Sequence, residues 1–202
     1  MVERVRRLVG DGWSRWQVSS LAGLRLLRAF GGLDVTADWP VYTLNRLAAQ
    51  SLLDLKLARF TLSPEDARDN MAGLLGRFGA QAEVLLFGDV PLFLSASCVR
   101  ANQEGKCPGR AGCDGGSALP MRLSGGEDVL AVSDECRTVV LGARAYSLAG
   151  RMDELRQAGA SVFRADFVWR PYEAREVRDL WRRVRRGDAV AGTVGNFDRG
   201  LA

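Results

Sequence analysis

Cys98, Cys107, Cys113 and Cys136 are the four cysteines of this 202-residue chain, and they are gathered in one stretch of it. Eight, five and twenty-two residues separate them in turn. Thiolates are soft ligands, and both a structural zinc ion and an iron–sulfur cluster take four of them. The run CVRANQEGKCPGRAGC also holds the Gly and Pro that let a backbone wrap tightly around a small object. Three readings compete. Disulfides need an oxidising compartment, and the N-terminus MVERVRRLVG lacks the continuous apolar core of a secretory signal. Structural zinc commonly shows two CxxC-like knuckles, and none is present. An iron–sulfur cluster tolerates wider, irregular spacing and is the leading reading, with zinc the alternative.

The chain contains no His. That removes Ser-His-Asp and Cys-His catalysis, HExxH zinc sites and His-tuned acid–base chemistry from this chain. No residue emerges as a catalytic nucleophile or base, so the catalytic set is unknown at this level.

The elements that must position the cysteines follow from hydrophobic period. Residues 14–30 read as a helix, with Trp16, Leu24 and Leu27 on one face and Leu21 beside it. Strands are expected at 33–38, 58–63 and 83–87. Between them lie a helix over 43–55, with Leu44, Leu47, Ala48, Leu52 and Leu55 on one face, and a second helix. The second helix is expected to start at Ser63-Pro64-Glu65-Asp66, with Ser63 as N-cap, and to bury Ala67, Met71, Leu74, Leu75 and Phe78. The strands recur at a near-constant pitch, which implies right-handed βαβ crossovers and a parallel sheet. The rhythm breaks after Gly88. Residues 98–120 read as an irregular loop. Short antiparallel strands follow at 121–124, 129–132 and 137–141, with Gly125-Gly126 as a turn. A helix over 148–158, a strand over 161–167 and a helix over 173–186 complete the pattern. The last helix is expected to bury Val177, Leu180, Trp181 and Val184.

The fold class is therefore α/β: a partial TIM-type βα barrel of about four main parallel strands, with a cysteine-rich loop and a small antiparallel insertion. It reads as one domain over 1–202, the insertion spanning 98–142. A closed barrel of this type needs eight strands. The expectation is that the chain is the C-terminal part of a barrel whose missing half lies in the same polypeptide or in a partner subunit. Cys98 falls just beyond the C-terminal end of strand 83–87, the end where βα barrels do their chemistry. A metal there can serve catalysis or staple a long loop.

Hydrophobic residues make up 47% of the chain, which excludes a disordered or collagen-like class. No apolar run approaches the ~18 residues of a membrane-spanning helix. A cytoplasmic protein is expected. The net charge of +4 leaves an RNA partner open without demanding one. Trp13, Trp16 and Trp39 read as core or interface anchors.

The runs SRWQVSSLAGLRLL, LNRLA, RFTLSPED, PLFLSASC, the cysteine cluster, DECR, RADF and GNFDRGL occur in this order. Together they resemble the collagenase-like peptidase family U-32, over almost the whole chain and closest to its longer, multidomain members. The resemblance implies a βα barrel and a [4Fe–4S] cluster held by the four cysteines. It also implies support of hydroxylation, of RNA or of a small aromatic substrate. The family's older label implies a protease, and a third reading is a non-catalytic subunit whose cluster is structural.

Four further residues are candidates for substrate binding. Arg164 and Asp166 stand two apart on a strand and so share a face, with Phe163, Ala165 and Phe167 on the other. Arg164 can bind an anionic group, or pair with an acid to fix barrel packing. Asn45 and Glu65 match the family's segments after two strands. Glu65 reads equally as an acid in the first turn of a helix. Arg175, Arg178, Arg182, Arg185 and Arg186 form either a phosphate-binding stripe or, the favoured reading, a solvated face that complements the helix dipole.

Overall fold

The computed structural model describes residues 1–107, 109, 113, 118–134 and 136–200. The chain forms two compact units. The first comprises Met1–Leu85, Met152–Arg164 and Gly195–Ala202; the second comprises Leu86–Arg151 and Ala165–Val194.

Helix α1 (Val2–Gly10) opens the first unit, followed by β1 (Arg15–Val18), α2 (Leu21–Leu27), β2 (Asp34–Ala37), α3 (Arg46–Asp54), β3 (Arg59–Thr61), α4 (Arg68–Phe78) and β4 (Ala82–Gly88). After the second unit's excursion the chain returns through α6 (Met152–Gln157) and β10 (Val162–Ala165). Strands β1, β2, β3, β4 and β10 lie side by side as a curled parallel half-barrel, with β1 and β10 at its edges. The partial βα barrel stands, with five strands where four were expected.

The extra strand corrects the helix expected over 14–30. Trp16 shares a helical period with Leu24 and Leu27, which conceals the alternation of Trp16 and Val18 against Gln17. Arg15–Val18 pairs residue by residue with Asp34–Ala37. Ser20 then caps a shorter helix by accepting from the Gly23 amide at 3.2 Å. A second correction concerns Ser63, which does not cap a helix. Residues 63–66 form a turn closed by Asp66 N–H to Ser63 O at 3.1 Å, and α4 begins only at Arg68. Glu65 therefore sits outside the helix and its dipole. Trp13 is 64% exposed and is not a core anchor, and Leu47 is exposed rather than part of the buried face of α3.

Register divides the parallel sheet into two chemically different faces. Trp16, Val18, Val35, Ala37, Phe60, Ala82 and Val84 share one face, which is packed with helices. Phe60 meets Phe78 of α4 edge-on at 5.4 Å, and Leu24, Leu52, Leu74 and Leu155 bury beside them. Gln17, Asp34, Thr36, Arg59, Thr61 and Glu83 share the other face. The C-terminal segment closes onto α4: Phe197 is buried beneath the Arg68 guanidinium, which also pairs with Asp198 and Glu154. Gly159 is required where it is, because φ is +114° and a Cβ there would lie 2.8 Å from the Leu75 carbonyl oxygen.

The second unit is built on a four-stranded antiparallel sheet ordered β5 (Pro91–Ser95), β8 (Arg137–Gly142), β7 (Asp128–Asp134), β6 (Ala118–Arg122). Strands β7 and β8 fall on the expected ranges, whereas β6 starts at Ala118, within the stretch expected to be an irregular loop, and β5 is an addition that begins three residues after Gly88. The short helix α5 (Val99–Glu104) follows β5, and β9 (Tyr146–Ser147) pairs with the end of β4. Helix α7 (Ala174–Arg186) buries Val184, while Val177 and Leu180 are half-buried. Trp181 is 45% exposed, contrary to the expectation that it packs inward. No helix among the described residues is long and apolar enough to cross a membrane.

Candidate functional site

The antiparallel sheet determines where the cysteines go. Strand β5 runs towards one end of the sheet, and there Ser95 pairs with Thr138 at the start of β8. At the same end Ala118, which opens β6, pairs with Val132 near the close of β7, and Asp134 pairs with Arg137. The β5–β6 connection carries Cys98, Cys107 and Cys113; the β7–β8 turn carries Cys136. Both cysteine-bearing connections thus leave and rejoin the same end of one sheet.

Two of the four are tied to the same strand end. Thr138, buried at the start of β8, donates its hydroxyl to Ser97 O at 2.7 Å and accepts from Val99 N–H at 2.8 Å. The two bonds clasp Cys98, which lies between Ser97 and Val99. Cys136 precedes Thr138 by two residues and has φ of +66°. A left-handed backbone at a hairpin turn favours Gly or Asn, and for an ordinary L-residue it is costly.

All four thiols are free; Cys98 and Cys113 are half-buried, and Cys107 and Cys136 are exposed. The donor set suits a cluster of four thiolates. Among the described residues, all four cysteines included, no three His, Cys, Asp or Glu side chains stand in a group that could hold a metal ion.

The first unit carries a different arrangement. Arg164 on β10 donates to Asp38, which follows β2, at 2.7 Å and lies 3.6 Å from Glu83 on β4. Glu83 accepts from Thr61 at 2.9 Å and from Gln17 at 3.4 Å. Asp38 is also approached by the Ser19 hydroxyl at 3.3 Å. The three charged side chains are 14–16% exposed. Barrel interiors are ordinarily filled by branched apolar side chains; this face is instead a hydrogen-bonded network of donors and acceptors. Arg164 is held by acids on two other strands, so it is positioned by the network.

The remaining expected residues have definite local tasks. Asn45 caps α3, its side-chain oxygen accepting from Ala48 N–H at 2.9 Å. Glu65 accepts from the Tyr42 hydroxyl at 3.4 Å; burial, and then the Glu65 charge, raise the Tyr42 pKa. Tyr42 itself adopts a left-handed backbone, with φ of +57°. The Asp166 amide donates to Phe87 O in the second unit.

Sequence reasoning missed Gln17, Asp38, Thr61 and Glu83. Their signal was the shared alternation of RWQV, DVTAD, RFT and AEV, visible only once the four are aligned as neighbours. It also missed Asp89, whose buried carboxylate takes Arg170 at 2.5 Å and Tyr172 at 3.1 Å. Arg170 further donates to Gly142 O and Ala143 O. Burial, and then the Asp89 charge, push the Tyr172 pKa far up. This arrangement satisfies a buried charge fully, as stability requires.

No family model, no curated protein and no solved structure matches the chain.

Proposed function

We propose that the chain holds one [4Fe–4S] cluster through Cys98, Cys107, Cys113 and Cys136 and supports hydroxylation of RNA or a small aromatic substrate, as its resemblance to the collagenase-like peptidase family U-32 implies. The single observation that carries the reading is that the two connections bearing the four cysteines, β5–β6 and β7–β8, leave the same end of the antiparallel sheet. The left-handed backbone at Cys136 supports it. Such a cluster, when bound, supplies one-electron transfer. On the protein side, Arg164 and its partners Asp38 and Glu83 offer fixed donors and acceptors to a polar substrate. Asn45 and Glu65 serve as positioning residues for α3 and Tyr42. Free thiols suit a reducing, cytoplasmic setting. A partner subunit or further strands completing the half-barrel have the edges of β1 and β10 to join.

A second reading keeps the cluster and makes it structural. It is favoured by the shallow seating of α5, of which Val99 is the one buried side chain. Proteolysis has no comparable support, since the chain lacks His and no activated nucleophile accompanies the thiols.

Anaerobically purified protein is expected to be brown and to contain iron and acid-labile sulfide. Stoichiometric zinc without sulfide would overturn the cluster. Nucleoside modifications in RNA, and the quinone pool, compared between a deletion strain and its parent, separate the two readings. Hydroxylation predicts a missing modification, whereas unchanged RNA and quinones favour the structural cluster.

A further inference from the structure

Helix α7 carries Arg175, Arg178, Arg182, Arg183, Arg185 and Arg186 against Glu176 and Asp179, so this one element holds a net charge equal to that of the whole chain. The helix dipole accounts for the arginines of its last turn. It does not account for Arg178 in the middle of the helix. Nor does packing account for Trp181, which is 45% exposed.

Helical spacing places Arg178, Trp181 and Arg185 at i, i+3 and i+7, in one stripe, with Arg182 beside it. The buried and half-buried residues Val177, Leu180 and Val184 form the neighbouring stripe, so Trp181 lies at the boundary with its outer side towards solvent. Asp179 takes Arg182 at 3.0 Å, and Asp188, beyond the helix, takes Arg186 at 3.1 Å. Among the described residues neither Arg178 nor Arg185 has an ion-pair or hydrogen-bond partner. An exposed indole flanked by two unpaired guanidinium groups is complementary to a strand of alternating bases and phosphates. Bases stack on the aromatic face, and arginines take the phosphates to either side.

We propose that this stripe of α7 is a docking surface for single-stranded RNA, with Trp181 stacking a base and Arg178 and Arg185 contacting the adjoining phosphates. The surface stands apart from the reading of the cysteines, because binding at α7 requires no cluster.

Fluorescence anisotropy of a short labelled oligouridylate, with the full chain at low and physiological salt, tests it. Arg178→Glu with Arg185→Glu is expected to weaken binding by more than about tenfold. The salt slope should also fall by roughly 1.4, the contribution of two phosphates on a single strand. Trp181→Ala is expected to weaken binding about tenfold with the salt slope unchanged, and Trp181→Phe to keep most of the affinity. The milder pair Arg178→Gln with Arg185→Gln serves if the charge reversal fails to fold. Reversing Arg4 and Arg7 on α1 alters net charge equally and is expected to have a much smaller effect. An equal loss there, or wild-type affinity in the Trp181→Ala protein, would overturn the proposal. So would binding to anionic phosphatidylglycerol vesicles without binding to the oligonucleotide. Iron measured on each sample separates a failed cluster from a failed surface.

Discussion

The two units hold their polar chemistry in opposite ways. On the open face of the parallel sheet, Gln17, Thr61, Glu83 and Arg164 come from four strands and Asp38 directly follows β2, and they are already bonded to one another. Their positions are fixed by backbone ladders, and their geometry needs no ligand to complete it. At the end of the antiparallel sheet, the four cysteines sit on connections, with β8 anchoring only the neighbourhoods of Cys98 and Cys136. A network on strands is organised by folding. A thiolate set on connections would draw part of its order from a bound metal, because metal binding also supplies folding free energy. The contrast makes the two regions separable by experiment.

The largest expected effect falls on the cysteine end. Replacing any one of the four cysteines with Ser is expected to abolish bound iron and sulfide. Hydrogen exchange should then quicken in β6 and the β7–β8 turn while β1–β4 keep their protection. Equal loss in both sheets would erase the contrast. Next comes the polar face. Arg164→Leu leaves Asp38 and Glu83 facing each other without their cation, and is expected to cost about 3 kcal/mol in denaturant unfolding. Adding Asp38→Asn should recover part of that. An Arg164→Leu protein as stable as its parent would mean that the network is not coupled to the fold.

A smaller effect of opposite sign sharpens the comparison. Cys136→Gly relieves a left-handed backbone and is expected to stabilise the metal-free protein by about 1 kcal/mol, while the same change prevents iron binding. Stability gained together with function lost marks a residue kept for its thiol; a destabilised Gly variant would argue that the side chain serves packing.

The smallest effect is a pH slope. Burial raises the pKa of Asp66, with hydrogen bonds from Asn70 and Ala67 opposing the shift. The folded state therefore holds this proton more tightly than the unfolded chain. Stability should fall as pH rises from the ordinary Asp range through the raised folded value. Asp66→Asn is expected to flatten that fall, measured as unfolding midpoint against pH. An unchanged slope would show that Asp66 is solvated.

Much of this was legible in the amino-acid order. The recurrence of apolar runs fixed the βα alternation, because period is a local property of the chain. Other features were not local. Arg15–Val18 is a strand because Asp34–Ala37 lies beside it, although Trp16 keeps helical time with Leu24 and Leu27. Trp181 has a helical period that fits the buried face, yet it is exposed, since how wide a face is covered depends on what packs against it. Asp38, Glu83 and Arg164 are far apart in sequence and meet only through strand order and register. The sequence alone determined which residue types were available and the repeat that makes strands and helices. Tertiary structure decided which of them face one another, because a side chain's partner across a sheet is chosen by the neighbouring strand and not by its own.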